Sequence, residues 1–140
     1  MRSTLFSIVF LIAFFAFVSI ANINGQTQKR LTSTPKAFQT FFAKFKRATV
    51  NGDKKVVATM TSFPFRYGWD AGDEGTYDRA QFLANFDKIF GDARNLFRQK
   101  NPKFYIGNHS YGLTNEEDAS HYRFEKRGSI YKFVAFVVEP

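Results

Sequence analysis

Residues 34–53, TPKAFQTFFAKFKRATVNGD, decide the fold of this chain. At 100° per residue the stretch predicts a helix with one aromatic face, made of Phe38, Phe41, Phe42, Phe45, Ala48 and Thr49. The basic side chains lie on the flanks and on the opposite side: Lys36, Lys44, Lys46 and Arg47. Four phenylalanines on one narrow face need a partner surface, and we expect the rest of the chain to supply it.

The next residues predict a short helix, a strand and two further helices. The short helix follows Asp53, and residues 61–69 alternate as a strand does. Thr76 is expected to cap a third helix that Gly91 ends, and residues 92–99 predict one more helical stretch.

Three strands are expected after these helices, at residues 103–111, 119–126 and 130–138. An acidic connection, residues 112–118, joins the first two. The last strand is apolar on both faces, so we expect it in the middle of the sheet. Strands that follow one another directly pair antiparallel, with helices packed against one face. The predicted fold class is therefore α+β, a roll with a single domain over residues 34–140.

Residues 1–25 have the pattern of a signal peptide. Arg2 precedes an uninterrupted apolar run, Leu5 to Ile20, and small residues follow that permit cleavage after Ala21 or Gly25. An uncleaved anchor is the alternative. The chain has no cysteine, which excludes disulfide bonds and thiolate metal sites and, in an exported protein, favours a bacterial source. We therefore expect a periplasmic or secreted protein with a polar basic lead-in at residues 26–33.

The positive charge is concentrated near the amino-terminal side of this domain. The whole chain has a formal net charge of +8, and residues 26–55 contain eight basic side chains against one acidic side chain, Asp53. Such a stripe can bind anionic lipids or glycans, or it can be a solvated helix face. Nucleic acid is not expected, because the aromatic side chains lie opposite the basic ones and cannot stack bases beside them.

The order of elements and several stretches of sequence resemble the nuclear-transport-factor-2-like superfamily, which has a cystatin-like α+β fold. The stretches are FxxFFAKFKRATVNGDKKVVATM at Phe38–Met60, SFPF at Ser62–Phe65 and YDRAQFLANFDKIF at Tyr77–Phe90, followed by the terminal hairpin. The chain looks most like exported, uncharacterised bacterial members.

This resemblance implies a curved antiparallel sheet that wraps around the long first helix and forms a cone with an open mouth. Members of the superfamily include isomerases, dehydratases, polyketide cyclases and many non-enzymatic binding or oligomerising modules. Its enzymes place an Asp or His inside the cone, often with a Tyr. This sequence has no Asp or His on a face that we can assign inward, which disfavours catalysis.

Strand alternation predicts an aromatic mouth with polar tips, formed by Tyr67, Trp69, Asn108 and Tyr122. The alternative is that these side chains lie at the edge of the core with their polar atoms in water. A catalytic reading would use Tyr67 or Tyr122 as the proton donor and a loop carboxylate, Asp70 or Asp73, as the base.

The two histidines are candidates for a metal site. If residues 119–126 fold back on 103–111 symmetrically about Asn115, His109 lies opposite His121. No third ligand is fixed by the sequence, and two exposed strand histidines are the alternative. We expect no cofactor.

These observations favour an exported, non-enzymatic binding or assembly module of the bacterial envelope. It would bind a small molecule in the cone or form a homodimer through the outer face of the sheet. One alternative is a cofactor-free lyase or isomerase. The other is adhesion to anionic envelope surfaces through Lys36, Lys44, Lys46 and Arg47, a weak surface contact in the case of a membrane.

Overall fold

The computed structural model describes residues 34–91 and 93–139. The predicted signal peptide (1–25) and the lead-in (26–33) lie outside the described residues. Within these ranges no helix has the length and apolar character that a membrane span requires. The described chain has an α+β fold, with helices packed on one face of a curved, unclosed six-stranded sheet.

The helices are α1 (Lys36–Asn51), α2 (Lys54–Thr59), α3 (Arg79–Ala84), α4 (Phe86–Phe90) and α5 (Arg94–Arg98). The strands are β1 (Thr61–Gly68), β2 (Glu74–Tyr77), β3 (Tyr105–Ile106), β4 (Ser110–Asn115), β5 (Ser120–Arg127) and β6 (Ile130–Val138). The strand order is β2-β1-β6-β5-β4-β3, and neighbours are antiparallel except for the parallel pair β1 and β6. The last strand is central, as predicted.

Helix α1 has the face that the sequence predicts. Its buried residues are Phe38, Phe42, Phe45, Ala48 and Thr49, and Phe41 is half-buried. Gly52 ends the helix with φ = 74°, a left-handed conformation that favours glycine. The backbone N–H of Gly52 donates to the Thr49 carbonyl, which satisfies one of the free carbonyls in the last turn.

The sheet and the later helices supply the partner surface for α1. Phe38 stacks on Tyr111 of β4 with 3.9 Å between ring centroids, and Phe45 meets Phe124 of β5 edge-on at 5.1 Å. We call the phenylalanines packed here the aromatic core, and each is at most 2% exposed: Phe38, Phe42, Phe45, Phe65, Phe82, Phe86, Phe90, Phe97, Phe104, Phe124 and Phe133. The protein's own side chains therefore fill the space beneath α1.

The third helix begins later than predicted. Thr76 does not cap it, because Glu74–Tyr77 form strand β2 and pair with β1. Asp78 is the cap of α3: its side chain accepts from the Gln81 N–H, and the Gln81 side chain accepts from the Asp78 N–H. The predicted single helix is also divided into α3 and α4 at Asn85.

The predicted strand 103–111 is wrong, since it is two short strands joined by a turn at residues 107–109. The Gly107 N–H donates to the Ser110 carbonyl at 2.9 Å, and His109 adopts φ = 58°. Strand β4 therefore extends through the predicted acidic connection as far as Asn115. Because the true turn is at residues 116–119, the pairing of β4 with β5 is shifted from the predicted register.

A bulge in β6 interrupts the alternation of inward and outward side chains along that strand. Arg123 lies opposite Ala135 while Phe124 lies opposite Phe133, so Val134 is the extra residue. Phe133 packs on Phe45 on the inward side. Beyond the bulge the parity changes, and Phe136 also faces inward.

Candidate functional site

The carboxyl ends of β4 and β6 and the start of β5 lie side by side, and we call this edge of the fold the open end. Asn115, Ser120 and Val138 are cross-strand neighbours in its last row. In the next row of side chains on the same face of the sheet, Leu113 lies opposite Tyr122, and Tyr122 lies opposite Phe136. The aromatic core ends here, and polar side chains take the place of phenylalanines.

A cleft of about 190 Å³ lies at the open end, between the sheet and the helices α4 and α5. We call it the Trp69 cleft. It is lined by Trp69, Lys88, Ile89, Ala93, Asp118, Tyr122, Phe136 and Val138. Two of the four predicted mouth residues, Trp69 and Tyr122, thus line the same cleft.

Trp69 forms one wall of the Trp69 cleft and is held from three sides. Its ring packs 4.8 Å from that of Phe136, and its indole N–H donates to the Tyr77 hydroxyl at 3.3 Å. Its backbone N–H donates to the Asp73 carbonyl at 2.7 Å. The Lys88 ammonium lies 3.9 Å from the ring centroid, a cation–π contact at the rim.

Tyr122 forms the floor of the Trp69 cleft rather than its mouth. It is 1% exposed, and its hydroxyl donates to the Ile89 carbonyl at 2.9 Å. Its ring is 5.1 Å from that of Phe136. The hydroxyl therefore ties β5 to helix α4.

Asp118 lies at the rim of the cleft and is fixed by its own turn. Its carboxylate accepts from the Ser120 N–H at 3.0 Å and from the Ser120 hydroxyl at 2.6 Å. Both bonds use the same carboxylate oxygen, Oδ1, and they order the β4–β5 turn.

Tyr67, Asp70 and Asp73 lie outside the lining of the Trp69 cleft. Tyr67 stacks on Tyr77 with 4.1 Å between centroids. Desolvation raises the pKa of Tyr67, and the nearby charge of Asp73 raises it further. Asp70 and Asp73 are both exposed in the loop between β1 and β2. The structure therefore does not bring the proposed acid and base together inside the cleft.

Asn108 also lies outside the Trp69 cleft. It is exposed in the turn between β3 and β4, where the chain reverses direction. The alternation that placed it beside Tyr122 assumed an unbroken strand through residues 103–111. The turn invalidates that assumption, so the predicted four-residue mouth is not assembled.

The predicted pairing of the two histidines is wrong. His121 lies opposite Thr114, and its Nδ1 is 3.0 Å from the Thr114 hydroxyl. Its Nε2 is 3.4 Å from the Glu139 carboxylate. His109 lies in the β3–β4 turn, where its carbonyl accepts from the Lys126 N–H. No group of three or more metal-ligating side chains occurs in residues 34–91 and 93–139.

The four basic residues of α1 differ in their surroundings. Lys36, Lys44 and Arg47 are exposed. Lys46 is half-buried, and its ammonium donates to the Gln99 carbonyl at 3.1 Å. Lys46 thus connects α1 to the residue after α5, while the other three face solvent.

The outer face of β6 is already covered by neighbouring side chains. Val134 and Ala135 are 7% and 3% exposed, and Arg66 and Arg123 flank Ala135 on the adjacent strands. A shallow depression of about 60 Å³ remains there. The apolar residues that suggested a dimer face are therefore mostly buried within one chain.

Lys88, Ile89 and Phe136 line the Trp69 cleft although the sequence did not predict them as site residues. Phe136 faces inward only because of the bulge at Val134, which hydrophobic alternation does not predict. The sequence places Lys88 next to Ile89 on an amphipathic helix, which predicts a side chain near the border of the core. It does not show that Trp69 is the neighbour of Lys88.

No family model matches this chain, and no curated protein matches it. Among solved structures, an uncharacterised protein with a cystatin-like fold from Caulobacter vibrioides aligns with a TM-score of 0.43 and 12% identity. The alignment covers 74% of this chain and 89% of that one. A putative calcium/calmodulin-dependent protein kinase II association domain from Xanthomonas campestris aligns with a TM-score of 0.39 and 14% identity, covering 74% and 86%.

Proposed function

We propose that this protein is an exported, non-enzymatic binding module whose Trp69 cleft holds a small organic acid. The Trp69 ring beside the Lys88 ammonium is the observation that carries this proposal. An apolar wall with a few polar or charged groups at its rim is the usual composition of a small-molecule site, and here the charged groups are the Lys88 ammonium and the Asp118 carboxylate.

The size of the Trp69 cleft supports a ligand with one ring or a short chain. Its volume of about 190 Å³ is below the roughly 300–1,000 Å³ of sites for drug-sized molecules. Ile89, Ala93 and Phe136 would contact the apolar part of such a ligand. A carboxylate is the favoured polar group because Lys88 is exposed and can exchange its contact with the ring for an ion pair, whereas the Asp118 carboxylate already accepts two hydrogen bonds from Ser120.

Catalysis has less support than binding. The Tyr122 hydroxyl donates to a backbone carbonyl inside the fold, and Asp70 and Asp73 are exposed outside the cleft. The raised pKa of Tyr67 makes its phenol a weaker proton donor. We therefore favour the binding module over the lyase or isomerase.

Self-association and adhesion are alternatives with narrower support. The outer sheet face offers Arg66 and Arg123 around a covered apolar strip, so a homodimer there would depend on polar contacts. Adhesion to anionic surfaces would rest on the exposed Lys36, Lys44 and Arg47. Sedimentation of the full chain tests the first, and salt-dependent binding to anionic vesicles tests the second.

Fluorescence tests the proposal directly because Trp69 is the single tryptophan of the chain. Benzoate, phenylacetate and butyrate would be titrated into the full chain, with benzamide and benzylamine as uncharged and cationic counterparts of benzoate. We expect at least one acid to change the Trp69 emission with a Kd of about 0.1–1 mM, because ligands with so few atoms bind weakly.

Two lysine variants provide the matched comparison. Lys88→Gln should weaken binding of the acid about fivefold or more, whereas Lys55→Gln, at an exposed position of α2, should leave it unchanged. If benzamide bound as well as benzoate, the carboxylate assignment would be wrong. If none of the probes bound, the Trp69 cleft would not be a site for small acids.

A further inference from the structure

A second, larger groove opens on the other side of α5, between that helix and β4. Its volume is about 350 Å³, within the range of small-molecule sites. Leu96 of α5 and Leu113 of β4 form its apolar floor, and both are at least nine-tenths buried. We call it the Asn115 groove, after the residue at the end of β4 that lines it.

Asn115 is the unusual residue of this groove. It faces the same side of β4 as the buried Tyr111 and Leu113, and only 8% of it is exposed. Among the described residues, Thr49 Oγ1 and Arg94 Nε are the enclosed side-chain atoms without a hydrogen-bond partner, so the Asn115 amide reaches the open space of the groove. An amide that donates and accepts hydrogen bonds from a mostly buried position in the groove can bond a ligand held there.

Further amides and charges of both signs surround Asn115. Gln99 and Asn101 line the wall after α5, and Lys103, Glu116 and Glu117 also line the groove. Because acidic and basic groups both border the groove, it favours neither strongly anionic nor strongly cationic ligands. Amide groups that donate and accept hydrogen bonds above an apolar floor suit a neutral ring with several hydroxyl groups.

The wall of the groove is fixed before any ligand binds. The Lys46 ammonium of α1 holds the Gln99 carbonyl at 3.1 Å, and Asp118 orders the β4–β5 turn through its two bonds to Ser120. A fixed wall reduces the entropy lost on binding, which matters for a small polar ligand.

We infer that the Asn115 groove binds a neutral sugar or a similar polyol, with the Asn115 amide as its central hydrogen-bonding group. This site is separate from the Trp69 cleft, and it does not depend on the proposed binding of an acid there. Leu96 and Leu113 would contact the C–H face of the ring, and Gln99 and Asn101 would hydrogen-bond the hydroxyls at its edge.

The test is a titration of the full chain with glucose, N-acetylglucosamine and trehalose, followed by NMR. We expect one of them, at about 10 mM or less, to shift the side-chain amide resonances of Asn115 and the backbone amides of residues 96–117 that line the groove. Fluorescence of Trp69 should stay unchanged, which separates this site from the Trp69 cleft. Absence of shifts with all three sugars would overturn the proposal.

Asn115→Leu distinguishes a binding role from a structural one. The substitution keeps a side chain of similar size and removes the amide, so we expect sugar binding to fall at least tenfold while the melting temperature changes by no more than about 2 °C. Asn51→Leu, at the exposed end of α1, is the matched control and should bind as the parent does. Unchanged sugar binding in Asn115→Leu, or a fall of several degrees in its melting temperature, would contradict the inference.

Discussion

Along each of the strands β4, β5 and β6, the inward side chains change from aromatic rings beneath α1 to smaller or polar groups at the open end. The sequences of inward residues are Tyr111, Leu113 and Asn115 on β4, Phe124, Tyr122 and Ser120 on β5, and Phe133, Phe136 and Val138 on β6. Beneath α1 aromatic rings pack against one another, and at the open end the rings give way to smaller and polar groups. The Trp69 cleft and the Asn115 groove both occur there.

This difference separates a packed region that stabilises the fold from an open region in which the proposed ligands would bind, at opposite ends of the same strands. Close-packed rings contribute through dispersion and the removal of apolar surface from water, and they leave no room for a ligand. The open end is less closely packed, and it contains cavities and polar groups. Substitutions in the two regions should therefore differ in what they change.

Phe45→Ala should have the largest effect. Phe45 is fully buried and packs against Phe90, Phe97, Phe124 and Phe133, so its removal leaves a cavity among rings. We expect the free energy of unfolding to fall by about 3–5 kcal/mol, measured by urea denaturation. Phe41→Ala, one turn earlier at a half-buried position, should cost only about 1–2 kcal/mol. Equal losses in the two variants would mean that the core beneath α1 is not tightly packed.

Tyr122→Phe tests the boundary between the two regions and should have an intermediate effect. The ring stays in place, but the Ile89 carbonyl loses the hydroxyl that donates to it. We expect a loss of about 0.5–1.5 kcal/mol in the free energy of unfolding. Tyr105→Phe removes an exposed hydroxyl and should change it little. If the two variants were equally stable, the bond to Ile89 would contribute nothing measurable.

The packed end was largely predictable from sequence, and the open end was not. The face of α1 follows from the spacing of its phenylalanines, and the central place of β6 follows from its apolar run. The groups at the open end depend on two local events, the turn at residues 107–109 and the bulge at Val134. The turn and the bulge each change which side chains face inward. The alternation of apolar and polar residues does not reveal the position of either one.

The same reason explains the mixed result for the candidate site. Trp69 and Tyr122 lie near the ends of correctly predicted strands, and both line one cleft. Asn108 and His109 lie in a turn where a strand was expected, so neither joins it. Contacts between distant segments, such as that of Lys88 with Trp69, depend on how helices pack on the sheet, and periodicity carries no information about them.

The smallest expected effect concerns α4, the helix that carries Lys88 at the open end. On its outer side Asp87 accepts a hydrogen bond from Lys54 at 2.7 Å and lies 3.2 Å from Arg94. The hydrogen bond from Lys54 is the main cause that lowers the pKa of Asp87, and the charge of Arg94 adds to it.

A carboxyl whose pKa is lower in the folded than in the unfolded protein stabilises the fold above its ordinary pKa. That contribution is lost as the pH falls through the folded pKa, because the folded state then also takes up the proton. Lys54→Met should therefore destabilise the protein slightly at neutral pH, and the difference from the parent should disappear near pH 2. Urea denaturation at both pH values measures this, with Lys55→Met as the control on the same helix.

Amide hydrogen exchange shows whether this small effect is local to the open end. The ion pairs join α2 to α4 and α5 at the surface, whereas the rings beneath α1 contain no group that titrates in acid. Lowering the pH should thus loosen protection in residues 86–98 before it affects α1. If protection fell equally in both regions, the two ends of the sheet would unfold as one unit, and the division between a packed end and an open end would not extend to their stability.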